Sequence, residues 1–302
     1  MGRKAKDKEC MMLSDDQVKQ FELFGFVILR NIFTEREVAT LQAEFKYGAE
    51  RTQESEGEFD GTETHTFSMM GEDTPFYSSL LEDPRFYGPA SHLFGDDVFG
   101  LEINSYRYIS NTPWHFNDGS PNIHGYGPKY QFPVFEPTHA DTGALRFVPG
   151  SHKDPWQSQL TSWWPLGRDS ARSAEGMSYL DKIPCFVAEA DPGDAVLFDM
   201  RLVHSTWGGS KDRRMSCVTY YHYPETPQEL EVMRNTAQGF YNSTTRWNQA
   251  QWDEWFSNPH DSPLRQGWIE SWERLAKTPQ TETGLQLVYD DAGAATFAPA
   301  GV

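Results

Sequence analysis

The sequence predicts a mainly β protein of the antiparallel sandwich or jelly-roll kind with flanking helices, and three observations predict it. Runs of β-type residues at 98–109, 130–135, 144–148, 195–198 and 215–223 are short, separated by turn residues, and mostly lack a helix of convincing length between them. Helical patterning is confined to the two ends, residues 14–96 and 226–302, which leaves 97–225 as the β core. No internal repeat and no low-complexity linker interrupts the 302 residues, so a single domain is expected, preceded by a loose polar and basic tail at 1–12.

Taken in order, Ser14 followed by Gln17 makes a capping box, and Val18, Phe21 and Leu23 supply the apolar stripe of a short helix that Gly25 ends. Phe26 to Leu29 reads as a buried strand. Thr34 and Glu37 form a second box, with Phe33 and Val38 as its hydrophobic staple, for a helix reaching about Arg51. Residues 52–75 lack apolar periodicity and are expected to be loop. Asp83 and Pro84 place an N-cap and a proline at N1 of a helix ending at Gly95. Residues 154–190, with Trp156, Trp163 and Trp164, read as an irregular excursion over the sheet where a substrate lid would sit. After Pro227 helical character returns, with Glu229–Thr236 as one candidate and Trp247, Trp252, Trp255, Trp268 and Trp272 marking others. The chain after Pro279 reads as extended.

Composition narrows the function. A hydrophobic content of 38% with 23% charged residues is ordinary for a globular chain, and ten Trp with twenty Phe suggest a ring-rich pocket. A net charge of −18 argues against nucleic acid and anionic membrane as partners and for a small-molecule substrate. Cys10, Cys185 and Cys217 are far apart and form no CxxC pair, which disfavours a disulfide framework or a cysteine zinc site and fits a reducing cytoplasm. No apolar run reaches membrane-span length, and no apolar segment follows the basic N-terminus to make a secretory signal. Oligomeric state carries no sequence signal.

The chemistry is concentrated in Thr112-Pro113-Trp114-His115-Phe116-Asn117-Asp118-Gly119, where an imidazole and a carboxylate follow a strand-like run. A two-histidine, one-carboxylate iron(II) site needs a third ligand from a strand distant in sequence. His204, at the end of the apolar run that follows Pro192-Gly193-Asp194, suits that place. A keto-acid co-substrate such as 2-oxoglutarate would also need a buried cation for its far carboxylate. Residues two apart on a strand share a face, so Arg214 and Ser216 are expected to point into the barrel together and Arg213 outward.

These residues resemble a known family. The Phe24-to-Leu29 strand after a capped helix, Pro113-Trp114-His115, the run Asp141 to His152 and Pro192-Gly193-Asp194 leading to His204 resemble, jointly and in order over residues 14–225, the phytanoyl-CoA dioxygenase family. The resemblance implies a cupin-like double-stranded β-helix and an iron(II)- and 2-oxoglutarate-dependent dioxygenase that uses O2 to hydroxylate a small organic substrate. It carries the metal-ligand role to His115 and His204 and the co-substrate anchor to Arg214. Asn104 and Tyr106, on the strand before the first histidine, are further co-substrate contacts to expect.

The family's His-x-Asp would put the carboxylate at position 117, where this chain has Asn117, with Asp118 next. Three arrangements stay open. A one-residue shift of the turn lets Asp118 ligate, which is favoured because the site gains most from an anionic ligand and Asp-Gly suits a turn. Alternatively, Asn117 ligates through its amide oxygen or leaves the position to water, freeing a coordination place for an anion as in related halogenases. The third is a non-catalytic barrel that binds a small ligand or another protein. His139, His152 and His222 read as structural or surface histidines, and the tryptophans mostly as packing residues.

Overall fold

Helices form where the capping chemistry starts them. In the computed structural model, which describes residues 12–117, 126–163, 180–209, 212–242, 249–289 and 295–300, Ser14 caps α1 (Asp15–Phe24) and completes the box with Gln17. Gly25 ends α1 in the left-handed region at φ 85°, its N–H donating to Phe21 O at 2.7 Å. A Cβ there would lie 2.7 Å from His152 Nδ1, so this cap is also where the Pro149-Gly150-Ser151-His152 turn packs against the helix end. The chain then enters β1 (Phe26–Leu29).

Thr34 and Glu37 box the start of α2 (Glu35–Glu56), which runs past the expected end near Arg51. The stretch expected as loop also holds a strand, β2 (His65–Ser68), which the sheet recruits by pairing it with β3 (Phe99–Tyr108). Between them lie α3 (Pro75–Ser78), whose Phe76 and Tyr77 amides donate to the Glu44 carboxylate at 3.0 and 2.9 Å, and α4 (Pro84–Phe94), capped by Asp83.

The remaining strands are β4 (Thr112–His115), β5 (Pro128–Pro133), β6 (Leu145–Phe147), β7 (Phe186–Ala188), β8 (Ala195–Asp199), β9 (His204–Thr206) and β10 (Arg213–Tyr221). They build two antiparallel sheets, ordered β1-β8-β5-β10-β3-β2 and β4-β9-β6-β7. Phe26, Val196 and Phe198 of the first pack on Leu145, Phe147 and Ala188 of the second, with Phe26 stacked on Phe147 at 4.8 Å, so the sheets face each other. The turn before β8 is held by Asp194, whose carboxylate accepts the Asn31 and Asp191 amides and the Arg30 guanidinium at 2.9, 3.1 and 2.6 Å.

The excursion at 154–190 opens as a helix, α5 (Trp156–Trp163), while residues 164–179, Trp164 among them, lie outside the described residues. Leu160, Leu180 and Ile183 cover Trp114, Phe116 and Val203 on the outer face of the four-stranded sheet. The C-terminal part supplies α6 (Pro227–Asn242), α7 (Gln249–Ser257), α8 (Pro263–Lys277) and α9 (Gln280–Thr283). The end expected to be extended closes instead into a hairpin of β11 (Leu285–Tyr289) and β12 (Ala295–Pro299). Among the described residues no helix is long and apolar enough to cross a membrane.

The main core lies on the outer face of the six-stranded sheet. Leu101 and Ile103 of β3, Tyr130 and Phe132 of β5, and Val218 and Tyr220 of β10 are fully buried there against Phe86, Leu81, Trp268 and Trp272. Strand alternation therefore turns the other residues of these strands, mostly polar, toward the facing sheet. Apolar faces meet the helices, and the lumen between the sheets is left to Glu102, Asn104, Tyr106 and Tyr108 of β3, Lys129 and Gln131 of β5, and Arg213, Cys217 and Thr219 of β10. A polar interior of this kind marks a site rather than a core.

Candidate active site

The two histidines meet across adjacent strands. His115 and His204 are paired residues of β4 and β9, with ring centroids 4.2 Å apart. Trp114, the neighbour of His115, is buried on the outer face with its indole N–H donating to Leu180 O at 3.2 Å, and Val203, the neighbour of His204, is buried there too. Alternation consequently points both imidazoles inward.

Each ring is oriented by its own strand. His115 Nδ1–H donates to Pro113 O and His204 Nδ1–H to Leu202 O, both at 2.8 Å. A carbonyl only accepts, so Nδ1 carries the proton in both rings and Nε2 is the lone-pair nitrogen, the tautomer that a metal-binding imidazole requires. Burial first, then the His115 ring and the Lys129 charge, hold the His204 pKa well below its ordinary value and keep it neutral.

Asn117 lies two residues beyond His115, where its backbone N–H donates to Met200 O at 2.9 Å and its buried side-chain Nδ2 has no hydrogen-bond partner. Asp118, the favoured third ligand, lies outside the described residues. Among the described residues no three His, Cys, Asp or Glu side chains are grouped to hold a metal.

The arginines exchange places relative to the sequence expectation. Arg213 is 5% exposed and points inward, donating to Gly143 O (2.9 Å), Ser110 O (2.8 Å) and Thr206 Oγ1 (3.2 Å), with its buried Nε–H unpartnered. Arg214 faces the opposite side of β10, where it is ion-paired with Glu136 and lies over the Phe135 ring. Ser216 shares that outer face, hydrogen-bonded to Tyr77 Oη (2.9 Å) and Ser105 Oγ (2.7 Å) beneath the helices. The expected period of two holds, but its phase is shifted by one residue.

Arg213 is wedged between two glycines. A Cβ at either Gly143 or Gly209 would come within 2.4 Å of Arg213 Cδ, so the guanidinium reaches the lumen only because both positions lack a side chain. Among the described residues no carboxylate pairs with it, and burial lowers its pKa from the ordinary arginine value. An uncompensated buried cation is costly unless an anion arrives. Thr206, which it touches, lies two residues along β9 from His204, roughly 7 Å at the strand rise. A dicarboxylate held at the histidine pair would therefore have a buried cation within reach of its far end.

Asn104 and Tyr106 do face this lumen: Asn104 pairs with Cys217 and Tyr106 with Met215 across β3 and β10, and Tyr106 stacks on Tyr108 at 4.9 Å. The sequence reading missed Arg213, Thr206, Lys129 and Thr219 as lumen residues. For Lys129 and Thr219 a signal was present, since each is flanked by large apolar residues, Pro128 and Tyr130 or Val218 and Tyr220; Arg213, between Asp212 and Arg214, and Thr206, on a three-residue strand, carry no such local signal.

Two facing antiparallel sheets whose polar lumen carries an inward histidine pair define a double-stranded β-helix of the metal-dependent oxygenase type. The chain belongs to the phytanoyl-CoA dioxygenase family, whose family model matches residues 21–216. It is similar to an ectoine dioxygenase of Bordetella bronchiseptica, 27% identical over 157 residues that cover 47% of this chain and 50% of that one. An ectoine dioxygenase of Stutzerimonas stutzeri is 24% identical over 246 residues, covering 72% of this chain and 78% of that one. The chain thus spans about half the length of the first of these relatives. The same fold occurs in HygX from Streptomyces hygroscopicus, solved with nickel and 2-oxoglutarate bound (TM-score 0.55, 20% identity, 70% of this chain and 88% of that one). It occurs also in EctD from S. alaskensis (TM-score 0.52, 20% identity, 72% and 80%).

Proposed function

We propose that this chain is an iron(II)- and 2-oxoglutarate-dependent dioxygenase that hydroxylates a small organic substrate. The observation that carries the reading is the pairing of two inward imidazoles of matched tautomer with a buried Arg213 that has no counter-ion among the described residues and touches Thr206, two residues along β9 from His204. Family membership and the metal- and 2-oxoglutarate-bound neighbour support it.

The residues divide the work. His115 and His204 hold iron through Nε2, and the Pro113 and Leu202 carbonyls keep those nitrogens deprotonated and aimed. Arg213 takes the far carboxylate of 2-oxoglutarate in the place expected for Arg214, and Asn104 and Tyr106 line the wall beside it. When bound, the iron and co-substrate supply O2 activation coupled to oxidative decarboxylation of 2-oxoglutarate to succinate. The protein contributes orientation of the substrate carbon and exclusion of water.

Asp118 remains the third ligand that best fits the charge requirement. A second arrangement has Asn117 take the position through its amide oxygen, or leave it to water, freeing a coordination place for an anion with halogenation as an outcome; the buried, unpartnered Nδ2–H of Asn117, a donor that asks for an acceptor, suits the anion-binding variant. A cytoplasmic location suits the reading, since Cys185 and Cys217 are free thiols.

Anaerobic titration with iron(II) and 2-oxoglutarate, following the visible charge-transfer band of the chelate, tests the proposal. No band in folded protein would sink it. If the band forms, its loss in Asp118→Ala but not Asn117→Ala assigns Asp118, and the reverse assigns Asn117.

A further inference from the structure

A second polar row crosses the lumen away from Arg213. Lys129 of β5 and Glu102 of β3 are both paired with Thr219 of β10, so a cation, a hydroxyl and a carboxylate stand side by side on the inward face of three adjacent strands. On its other side Lys129 is paired with Phe198 of β8, whose ring lies 5.1 Å from that of His204. The row therefore lies on the side of the histidine pair, whereas the Arg213 backbone is six residues away along β10, roughly 20 Å at the strand rise, with its guanidinium reaching back to Thr206 from the other side.

The row is built and incompletely satisfied. Thr219 is 3% exposed and its Oγ1 has no hydrogen-bond partner. Lys129 makes no ion pair or hydrogen bond with any described residue, although its charge is felt at both His204 and Cys217. Its strand is fixed at the root: a Cβ at Gly127 would lie 2.3 Å from Tyr220 O, so β5 starts in direct backbone contact with β10. Glu102 has an interaction of its own, which leaves Lys129 and Thr219 as the anion-binding half of the row.

An ammonium beside a buried orphan hydroxyl asks for an acceptor with negative charge. The co-substrate does not supply it here, because its far carboxylate is the partner of Arg213 at the other end. We propose that Lys129 and Thr219 receive a carboxylate of the primary substrate and so set which carbon faces the iron. The inference rests on the oxygenase reading above. It defines the substrate class as a small carboxylic acid.

The test titrates the whole chain calorimetrically with four six-carbon probes, hexanoate, 6-aminohexanoate, hexanamide and hexylamine, with and without iron(II) and 2-oxoglutarate under anaerobic conditions. Hexanoate and 6-aminohexanoate should bind at least roughly tenfold tighter than hexanamide and hexylamine. Lys129→Met should erase that gap and Thr219→Val narrow it, while the iron(II)–2-oxoglutarate band of both variants stays as in the parent. Equal binding of hexanoate and hexanamide, no binding of any carboxylate, or a gap that survives Lys129→Met overturns the proposal. Loss of the chelate band in Lys129→Met also overturns it, by assigning Lys129 to the co-substrate. A parent chain that shows the carboxylate preference without ever forming the band would separate failure of the oxygenase reading from failure of the substrate site.

Discussion

Replacing Arg213 by Met removes the guanidinium while keeping much of its aliphatic length, and the structure sets the expected size of the effect. Three donor contacts to Gly143 O, Ser110 O and Thr206 Oγ1 are lost, and the two carbonyls lose a partner, at about 1–3 kcal/mol each. Against this, the variant no longer holds a buried cation without a counter-ion, which offsets much of that loss before co-substrate binds. The loss in 2-oxoglutarate affinity has no such offset. A charge-assisted clamp of about 3 kcal/mol corresponds to at least roughly a hundredfold in Kd. Arg214→Ala breaks a half-exposed pair with Glu136, worth about 0–1 kcal/mol, and should leave co-substrate affinity unchanged. The assay is anaerobic titration of the iron(II) protein with 2-oxoglutarate, read by the chelate band and by the thermal midpoint. In the parent, saturation at about a hundred times Kd adds about 2.7 kcal/mol of stability, and in Arg213→Met that increment should shrink to about 0.4 kcal/mol or less at the same concentration. Retained binding in Arg213→Met together with lost binding in Arg214→Ala would refute the inward assignment.

Three further outcomes follow from buried groups elsewhere. The Asp194 carboxylate is pulled up by burial but more strongly down by the Asn31 and Asp191 amides and Arg30, so its pKa is lowered. Its contribution is present above about pH 4 and fades as pH falls through the lowered value. Asp194→Asn should cost about 1–3 kcal/mol at pH 7 and flatten the acid limb of a denaturant-unfolding series, and an unchanged acid limb would count against it. His152 is buried, and burial depresses its pKa more than the nearby Asp199 charge and Glu22 backbone raise it. The unfolded chain then binds the extra proton first, and stability falls as pH drops below about 6.5. His152→Leu should reduce that slope in calorimetry between pH 7 and 5 without abolishing it, since His204 shares the behaviour. Gly143→Ala, at φ 88° and against Arg213 Cδ, should cost about 1–3 kcal/mol and weaken 2-oxoglutarate binding; wild-type affinity in that variant would contradict the packing.

What could be read in the sequence depended on whether the signal was local. Ser14 with Gln17, Thr34 with Glu37 and Asp83 before Pro84 announce their helices because capping is settled within four residues. β9 is His204-Ser205-Thr206, too short and too polar to carry a strand pattern, and β2 exists only because the edge of β3 recruits it. His115 and His204 could be nominated from their settings, but their pairing is a property of the sheet. With Arg213 and Arg214 adjacent, period two allows either to face inward, and the choice is made by the pairing of β10 with β3 and β5. The lumen residues Lys129 and Thr219 were hidden for a related reason: in β5 and β10 the apolar positions belong to the helices, so the usual equation of inward with apolar inverts.

The glycine notch around Arg213 has a consequence for how this site tolerates change. Neither Gly143 nor Gly209 has a side chain to contribute chemistry, yet each acts as a negative mould whose emptiness gives the guanidinium its shape and heading. A substitution scan scored by side-chain chemistry would pass over both as silent linkers. Scored by volume, the two would stand out beside His115 and His204, because a single methyl group at either position displaces a charge nearby.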